Sequence, residues 1–326
     1  MQKMVSICCI TYNHRNYISR CLDSLVNQVA DFEYEIVVHD DASTDGTQDI
    51  VREYAERYPN LIVPVLETEN QYSKGVGSLV SAMLSAATGK YVVEIEGDDH
   101  WCDPDKLRLQ VEALEVHPEC SACVHVTSTV DKDGKPQQMR LPEIDLDHSV
   151  ISTEEYMRYV LNEGYWMFHL SSCMVLLDLY REYASFMIEG FPAKFYKVGD
   201  LPMYLFFSLK GSFYFINRVM TTYTVESGGF MSQAKSDPEL ALRAQQGFVD
   251  GLTAFDEYSD YRFHEYVDQA LVPRRFEIDR INRRFDRIIR TPEYRSLIRQ
   301  RGPVKAVAFY LVGMFMLLFK NRGERR

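Results

Sequence analysis

The residues best equipped for chemistry are carboxylates that follow apolar runs. Glu96-Gly97-Asp98-Asp99 comes directly after the run 91–95, and Asp40-Asp41 directly after the run 35–39. Both runs read as short, mostly buried β-strands, the first bracketed by Gly89 and Gly97. Acid at the end of a buried strand is costly unless a cation meets it. In an open α/β sheet the C-terminal strand ends are where ligands sit. Two strands delivering carboxylates to one edge therefore predict a site for a divalent ion and a polar substrate.

The elements that would hold these residues alternate. Strands are expected at 5–10, 35–39, 61–66, 91–95 and 122–126. Between them, Tyr17, Ile18, Cys21, Leu22 and Leu25 share one helical face, as do Ile50, Val51 and Tyr54. Asp45 with Gln48 three residues on reads as a capping box, residues 77–87 as a helix, and Asp103-Pro104 as a helix start. This alternation over the first 125 or so residues predicts an α/β fold with a mostly parallel sheet flanked by helices. Asp133-Gly134 suits a hairpin turn, and Ser152 to Glu155 a capped helix. Residues 170–177 and 212–217 read as further strands, and 201–210 as a helix begun by Asp200. From Pro238 the chain is helical and charged, with Ile278, Ile281, Phe285, Ile288 and Ile289 on one face.

The 326 residues carry a net charge of −11, unevenly spread. Residues 273–326 hold 15 Lys/Arg against 5 Asp/Glu, a net of +10, which leaves 21 against 42, a net of −21, for the rest. An acidic body argues against a nucleic-acid partner, and a basic tail predicts contact with an anionic surface. Residues 306–319 form a run without charge, flanked by Lys305 and Lys320. Crossing a bilayer takes roughly 20 apolar residues. The run suits an interfacial or partly inserted helix instead, with a core helix or subunit contact as the plainer reading. The seven cysteines are scattered, and Met1 to Lys3 lead straight into the first strand. Free thiols in a reducing compartment are expected. Cys120 and Cys123, with His125 nearby, lack a second pair to complete a zinc site and read as strand residues.

The segments 5–13 (Val-Ser-Ile-Cys-Cys-Ile-Thr-Tyr-Asn), 35–47 (Glu-Ile-Val-Val-His-Asp-Asp-Ala-Ser-Thr-Asp-Gly-Thr) and 96–101 (Glu-Gly-Asp-Asp-His-Trp) resemble the inverting glycosyltransferases of family 2, with their Rossmann-like GT-A fold. The resemblance is close over the first 125 residues; beyond them it rests mainly on Val198-Gly199-Asp200. It implies a nucleotide-sugar donor, most often UDP-linked, and a divalent Mn2+ or Mg2+ ion. By the same resemblance Asp99 is the metal-binding Asp of a DXD-like motif, and Asp98 contacts the donor's ribose or sugar. Asp41 accepts a hydrogen bond from the base, Thr11 and Tyr12 hold the nucleoside, and Glu96 approaches the sugar. Asp200 is the general base for the acceptor hydroxyl, although an Asp before Leu-Pro-Met is also a helix N-cap. His100 and Trp101 are candidates for the acceptor pocket, with packing as the plainer role for Trp101. Many relatives carry a Tyr-Arg-x-His-like segment whose His assists the metal or diphosphate; here Glu226 stands in its place and is a candidate metal ligand.

The organisation expected is a transferase domain over 1–235, with a donor half 1–127 and an acceptor half 128–235. A charged helical extension over 236–302 and a membrane-contact helix over 303–326 follow. The function expected is transfer of a sugar to a glycan acceptor, such as a polyprenyl-diphosphate-linked intermediate of bacterial surface polysaccharide, at the cytoplasmic face of the membrane, with the protein peripheral or monotopic. The main alternative is a non-catalytic binding relative of the same fold. A phospho-signalling receiver would carry acid after its first strand, where this chain has Cys9-Ile10-Thr11. A P-loop is excluded because no GxxxxGK[ST] occurs.

Overall fold

Alternating apolar residues on the first strands bury both faces of a sheet. In the computed structural model, which describes residues 3–74, 80, 83–195, 199–225, 237–302 and 306–315, the first strand is β1 (Val5–Thr11). It is followed by α1 (Ile18–Val26), β2 (Tyr34–Asp40), α2 (Thr47–Arg57), β3 (Ile62–Leu66) and β4 (Tyr91–Glu96). Then come β5 (His100–Trp101), α3 (Lys106–Val116), β6 (Cys120–Asp131), β7 (Pro136–Leu141), β8 (Val150–Ile151) and α4 (Thr153–Met157). A 3-10 turn at Leu170–Ser172 leads into β9 (Met174–Leu176), α5 (Leu177–Glu189), α6 (Asp200–Ser208) and β10 (Ser212–Val225). The chain divides into two compact units, Met1–Glu189 with Asp200–Glu226, and Gly190–Gly199 with Ser227–Arg326.

In the first unit the strand order is β3-β2-β1-β4-β9-β6-β10-β5, with β7 beside β6 and β8 beside β10. The donor half expected from the sequence, β3-β2-β1-β4, is parallel throughout. Antiparallel pairing enters beyond β4, because β9 lies between β4 and β6 and runs against both. Residues Val5, Ile7 and Cys9 of β1 and Tyr91, Val93 and Ile95 of β4 pack with Ile18, Cys21, Leu22 and Leu25 of α1 and Leu107, Val111 and Leu114 of α3. Each such buried aliphatic side chain contributes about 1.5–3 kcal/mol. The period of two turns Val92, Glu94 and Glu96 to the opposite face. There Tyr180 of α5 hydrogen-bonds Glu94 and packs on Phe207 of α6 at 5.9 Å.

Three expectations need correction. Residues 170–177 are not one strand: the Ser172 N–H donates to the His169 carbonyl at 2.9 Å and closes Leu170–Ser172 into the 3-10 turn, and Leu177 already belongs to α5. The strand from Ser212 does not stop at Asn217. It continues to Val225 through register shifts at Ile216/Val219 and Val219/Thr221, so the polar Asn217-Arg218 pair marks a bulge and not an end. The apolar stripe from Ile278 to Ile289 belongs to two helices, because Arg283 takes φ 55° and breaks it. The helix expected over 77–87 lies partly outside the described residues; residues 83–86 are helical.

The second unit is helical: α7 (Pro238–Tyr258), α8 (His264–Ile281), α9 (Phe285–Arg290), α10 (Arg295–Gln300) and a helix over 306–315. Asp237 caps α7 by accepting from Glu239 N and Leu240 N, with Pro238 at the first position. Gly251 of α7 admits the Phe195 ring where a Cβ would stand 2.3 Å from it. Asp279, 2% exposed, accepts from the Tyr294 hydroxyl and faces Arg287 at 3.2 Å, tying α8 to the short helices. The 306–315 helix rests Phe309 on Phe276 and Phe285 and leaves Val307, Leu311, Met314 and Phe315 exposed. Among the described residues no helix is long and apolar enough to cross a membrane.

Candidate functional site

The loops after β1 and β2 are latched to each other. Asn13, held at φ 57°, donates its N–H to Ser43 Oγ and accepts from Thr44 N through Oδ1. Arg15 N donates to Asp45 Oδ2. Asp45 also accepts from Thr47 N and Oγ1, so it steadies the start of α2 as a turn residue. The capping box is not made, because Gln48 donates to Asp40 Oδ1 and the Glu67 carbonyl instead. Asp41, 2% exposed, accepts from Gln71 N at 2.5 Å and Tyr72 N at 3.1 Å. A carboxylate has about four acceptor positions, so these two bonds leave capacity for a ligand. Thr11 is buried at the end of β1 and Tyr12 is 46% exposed beside it. Gly97 lets β4 end against Thr11, since a Cβ there would lie 2.7 Å from Thr11 Oγ1.

Beside these loops lies the acid cluster. Asp99 is fully buried; its Oδ1 accepts from Thr224 N of β10 at 2.9 Å, and its Oδ2 has no hydrogen-bond partner. Thr224 Oγ1 donates to the Asp98 carbonyl and accepts from Arg20, fixing the turn from the other side. His14 Nε2 stands 4.0 Å from Asp98 Oδ2. Glu96, Asp99 and His169 each bring a ligand atom within 4.8 Å of the others. Asp200, the first residue of α6, accepts from the Leu170 backbone N–H.

The electrostatics follow from crowding. Burial, then the charges of Asp98, Glu96 and Asp200, hold the Asp99 carboxyl well above the usual range, against the pull of the Thr224 N–H. Glu96 is exposed at the end of β4. Desolvation, then the charges of Asp98, Asp200 and Glu94, raises its carboxyl above the usual range. Burial lifts Asp200 to about 6. His169 is driven down to about 3 by burial, so its 3.6 Å approach to Asp99 is not an ion pair. Glu96, Asp99 and Asp200 all resist ionising, and acids crowded in this way suit a divalent ion.

Glu94 sits two residues before this cluster on the same face, 4% exposed, and burial raises it to about 7. Its folded-state value lies above the unfolded one. Stability is therefore lost as pH rises from about 4.5 through about 7. The cost at pH 8 is on the order of 3 kcal/mol. Glu94→Gln keeps an acceptor for Tyr180 and is expected to raise the Tm at pH 8 while leaving it nearly unchanged at pH 4. Equal shifts at both pH values in thermal unfolding of the metal-free protein would contradict this.

The remaining expected residues separate. His100 is half-buried, and burial followed by Arg20 pushes it down to about 4. Trp101 is 3% exposed, with Lys106 Nζ 4.0 Å over its ring. An indole so covered packs in the core of this unit. Glu226 lies outside the described residues. His169, His14, Tyr223 and Thr224 were not anticipated. His169 had a weak signal only: a histidine inside an apolar stretch, stacked here on Tyr223 at 4.2 Å. All seven cysteines are free, and Cys120, Cys123 and His125 all lie in β6.

A parallel nucleotide-side sheet with carboxylates at its C-terminal edge defines a GT-A-type fold. Residues 6–183 match the model of glycosyl transferase family 2, and the chain belongs to that family. It is similar to an uncharacterised protein of Mycobacterium tuberculosis, 44% identical over 130 residues that make up 40% of this chain and 37% of the relative. The match therefore spans well under half of that relative's length. Among solved structures it is similar to residues 1–349 of S. aureus TarS in complex with UDP, with a TM-score of 0.54, 19% identity, and coverage of 95% of this chain and 90% of that one. It is also similar to the mannosyltransferase PcManGT of Pyrobaculum calidifontis in complex with GDP-Man and Mn2+, with a TM-score of 0.56, 21% identity, and coverage of 98% and 82%.

Proposed function

We propose that this glycosyltransferase moves a sugar from a UDP-sugar to a hydroxyl of a glycan acceptor, with inversion at the anomeric carbon. The observation that carries the reading is Asp99, buried, held on one oxygen by Thr224, and presenting the other toward Glu96 and His169. The donor's uracil docks between Thr11, Tyr12 and Asp41, with Asp41 accepting from the ring N–H. Asp98 orients the donor's hydroxyls. Asp99 would hold a divalent ion, Mn2+ or Mg2+, which would supply positive charge against the diphosphate leaving group. Asp200 accepts the proton of the acceptor hydroxyl as its oxygen bonds to the anomeric carbon and the bond to the diphosphate breaks. Its elevated affinity for protons, from burial, suits that task near neutral pH. His100, half-buried at the rim, borders the acceptor side.

The acceptor proposed is a polyprenyl-diphosphate-linked glycan, reached from the membrane surface. Support comes from the 306–315 helix, which exposes Val307, Leu311, Met314 and Phe315 on one face in a region of net charge +10. Such a helix lies in the interface of an anionic bilayer. Leu311→Glu with Phe315→Glu is expected to reduce sedimentation with vesicles containing anionic lipid at least tenfold; unchanged sedimentation would remove the helix from the contact.

The donor reading is tested by thermal shift against UDP- and GDP-linked sugars, with and without Mn2+. A UDP-sugar plus Mn2+ at 100 times its Kd is expected to stabilise by about 2.7 kcal/mol. A larger shift with GDP-sugars, or the same shift without metal, would refute it.

A further inference from the structure

We infer that His169 is a direct ligand of the divalent ion, making a mixed nitrogen–oxygen site that holds Mn2+ in preference to Mg2+. This rests on the donor-site reading above and goes beyond it, since the relatives' motif histidine is absent here and this imidazole comes from another element. His169 Nδ1 lies 3.6 Å from Asp99 Oδ2. That is too long for a hydrogen bond. It is the separation of two atoms that share an ion: ligands about 2.1 Å from a metal, at angles of about 90–120°, stand roughly 3.0–3.6 Å apart. A second observation points the same way. Asp99 Oδ2 is fully buried and has no hydrogen-bond partner, which is costly unless a cation meets it. Glu96 closes the third side of the triangle.

The imidazole is held for this role. Its ring stacks on Tyr223. Its backbone carbonyl accepts from the Tyr204 hydroxyl at 2.8 Å and from Ser172 Oγ at 2.7 Å. The Ser172 carbonyl in turn accepts from Gln110 Nε2, which also bonds the Cys123 carbonyl of β6. Ser171 Oγ lies 2.8 Å from Nδ1. Rotation of the Ser171 side chain about χ1 would move this oxygen aside and free the nitrogen lone pair. The Ser171 N–H, at 3.4 Å, is a weak competitor. Nitrogen ligation sets the preference: Mg2+ favours an all-oxygen shell, whereas imidazole suits transition metals.

The test is pulsed EPR of Mn2+ bound to the full chain in the presence of UDP, beside titrations of Mn2+ and Mg2+. Wild type is expected to show the 14N modulation of a directly bound imidazole. His169→Gln should lose that signal and bind Mn2+ roughly 10–100-fold more weakly, by analogy with the loss of supporting groups at metal sites, with Mg2+ affinity changed less than threefold. Absence of nitrogen modulation from Mn2+-loaded wild type overturns the assignment without any variant. So does unchanged Mn2+ affinity in His169→Gln when Asp99→Asn has lost it. If Asp99→Asn also binds Mn2+ normally, the donor-site reading itself has failed.

Discussion

Asp99→Asn is expected to lower kcat/KM about a thousandfold, the loss of roughly 4 kcal/mol of transition-state stabilisation, while the fold survives. Asn keeps an oxygen for the Thr224 N–H, so the junction between the β4 loop and β10 is preserved. What disappears is the charge. In the metal-free protein that charge opposes folding above the unfolded carboxylate range, because burial and three neighbouring acids hold Asp99 well above it. The variant should therefore melt at or above the wild-type Tm without metal, and lose the Mn2+-dependent stabilisation by UDP-sugar. A variant that melts earlier without metal, or that keeps full metal-dependent activity, would move the ion elsewhere.

Asp200→Asn is expected to lower kcat about 10²–10⁴-fold, the usual contribution of a general base, and to leave the UDP-sugar and Mn2+ thermal shift intact. The two variants thus fail differently, one in binding the ion and one in accepting a proton. The amide oxygen still accepts from the Leu170 N–H, which guards against a merely structural loss. In wild type, kcat should rise with pH through an apparent value near 6, because burial lifts Asp200 there and only the ionised form can take the acceptor's proton. The residual activity of Asp200→Asn should lack that limb. An unchanged pH profile in the variant would assign the base to another group.

The donor half was legible because its signals are local. Apolar runs ending in acid, with helical spacing between them, fix β1, β2 and β4 and put Asp41, Glu96, Asp98 and Asp99 at one edge. His169 was not legible for the opposite reason. Its segment reads as part of a strand, and it meets Asp99 only because β9 enters the sheet antiparallel between β4 and β6, a pairing that no local pattern announces. Trp101 shows the limit of motif position as a guide: next to the acidic run in sequence, it turns into the core and lies under Lys106. The reach of β10 was hidden by its own irregularity, since Asn217-Arg218 looks like a terminus to any argument from period two.

That irregular stretch of β10 restricts how the chain can vary over evolutionary time. Bulges absorb extra residues and let the pairing resume beyond them, and the register regained from Thr221 onward is the one in which Thr224 N meets Asp99. A change that moved the downstream register against β6 would turn that amide to the other edge and cost Asp99 its backbone donor, so insertions here are tolerated only where the bulge takes them up.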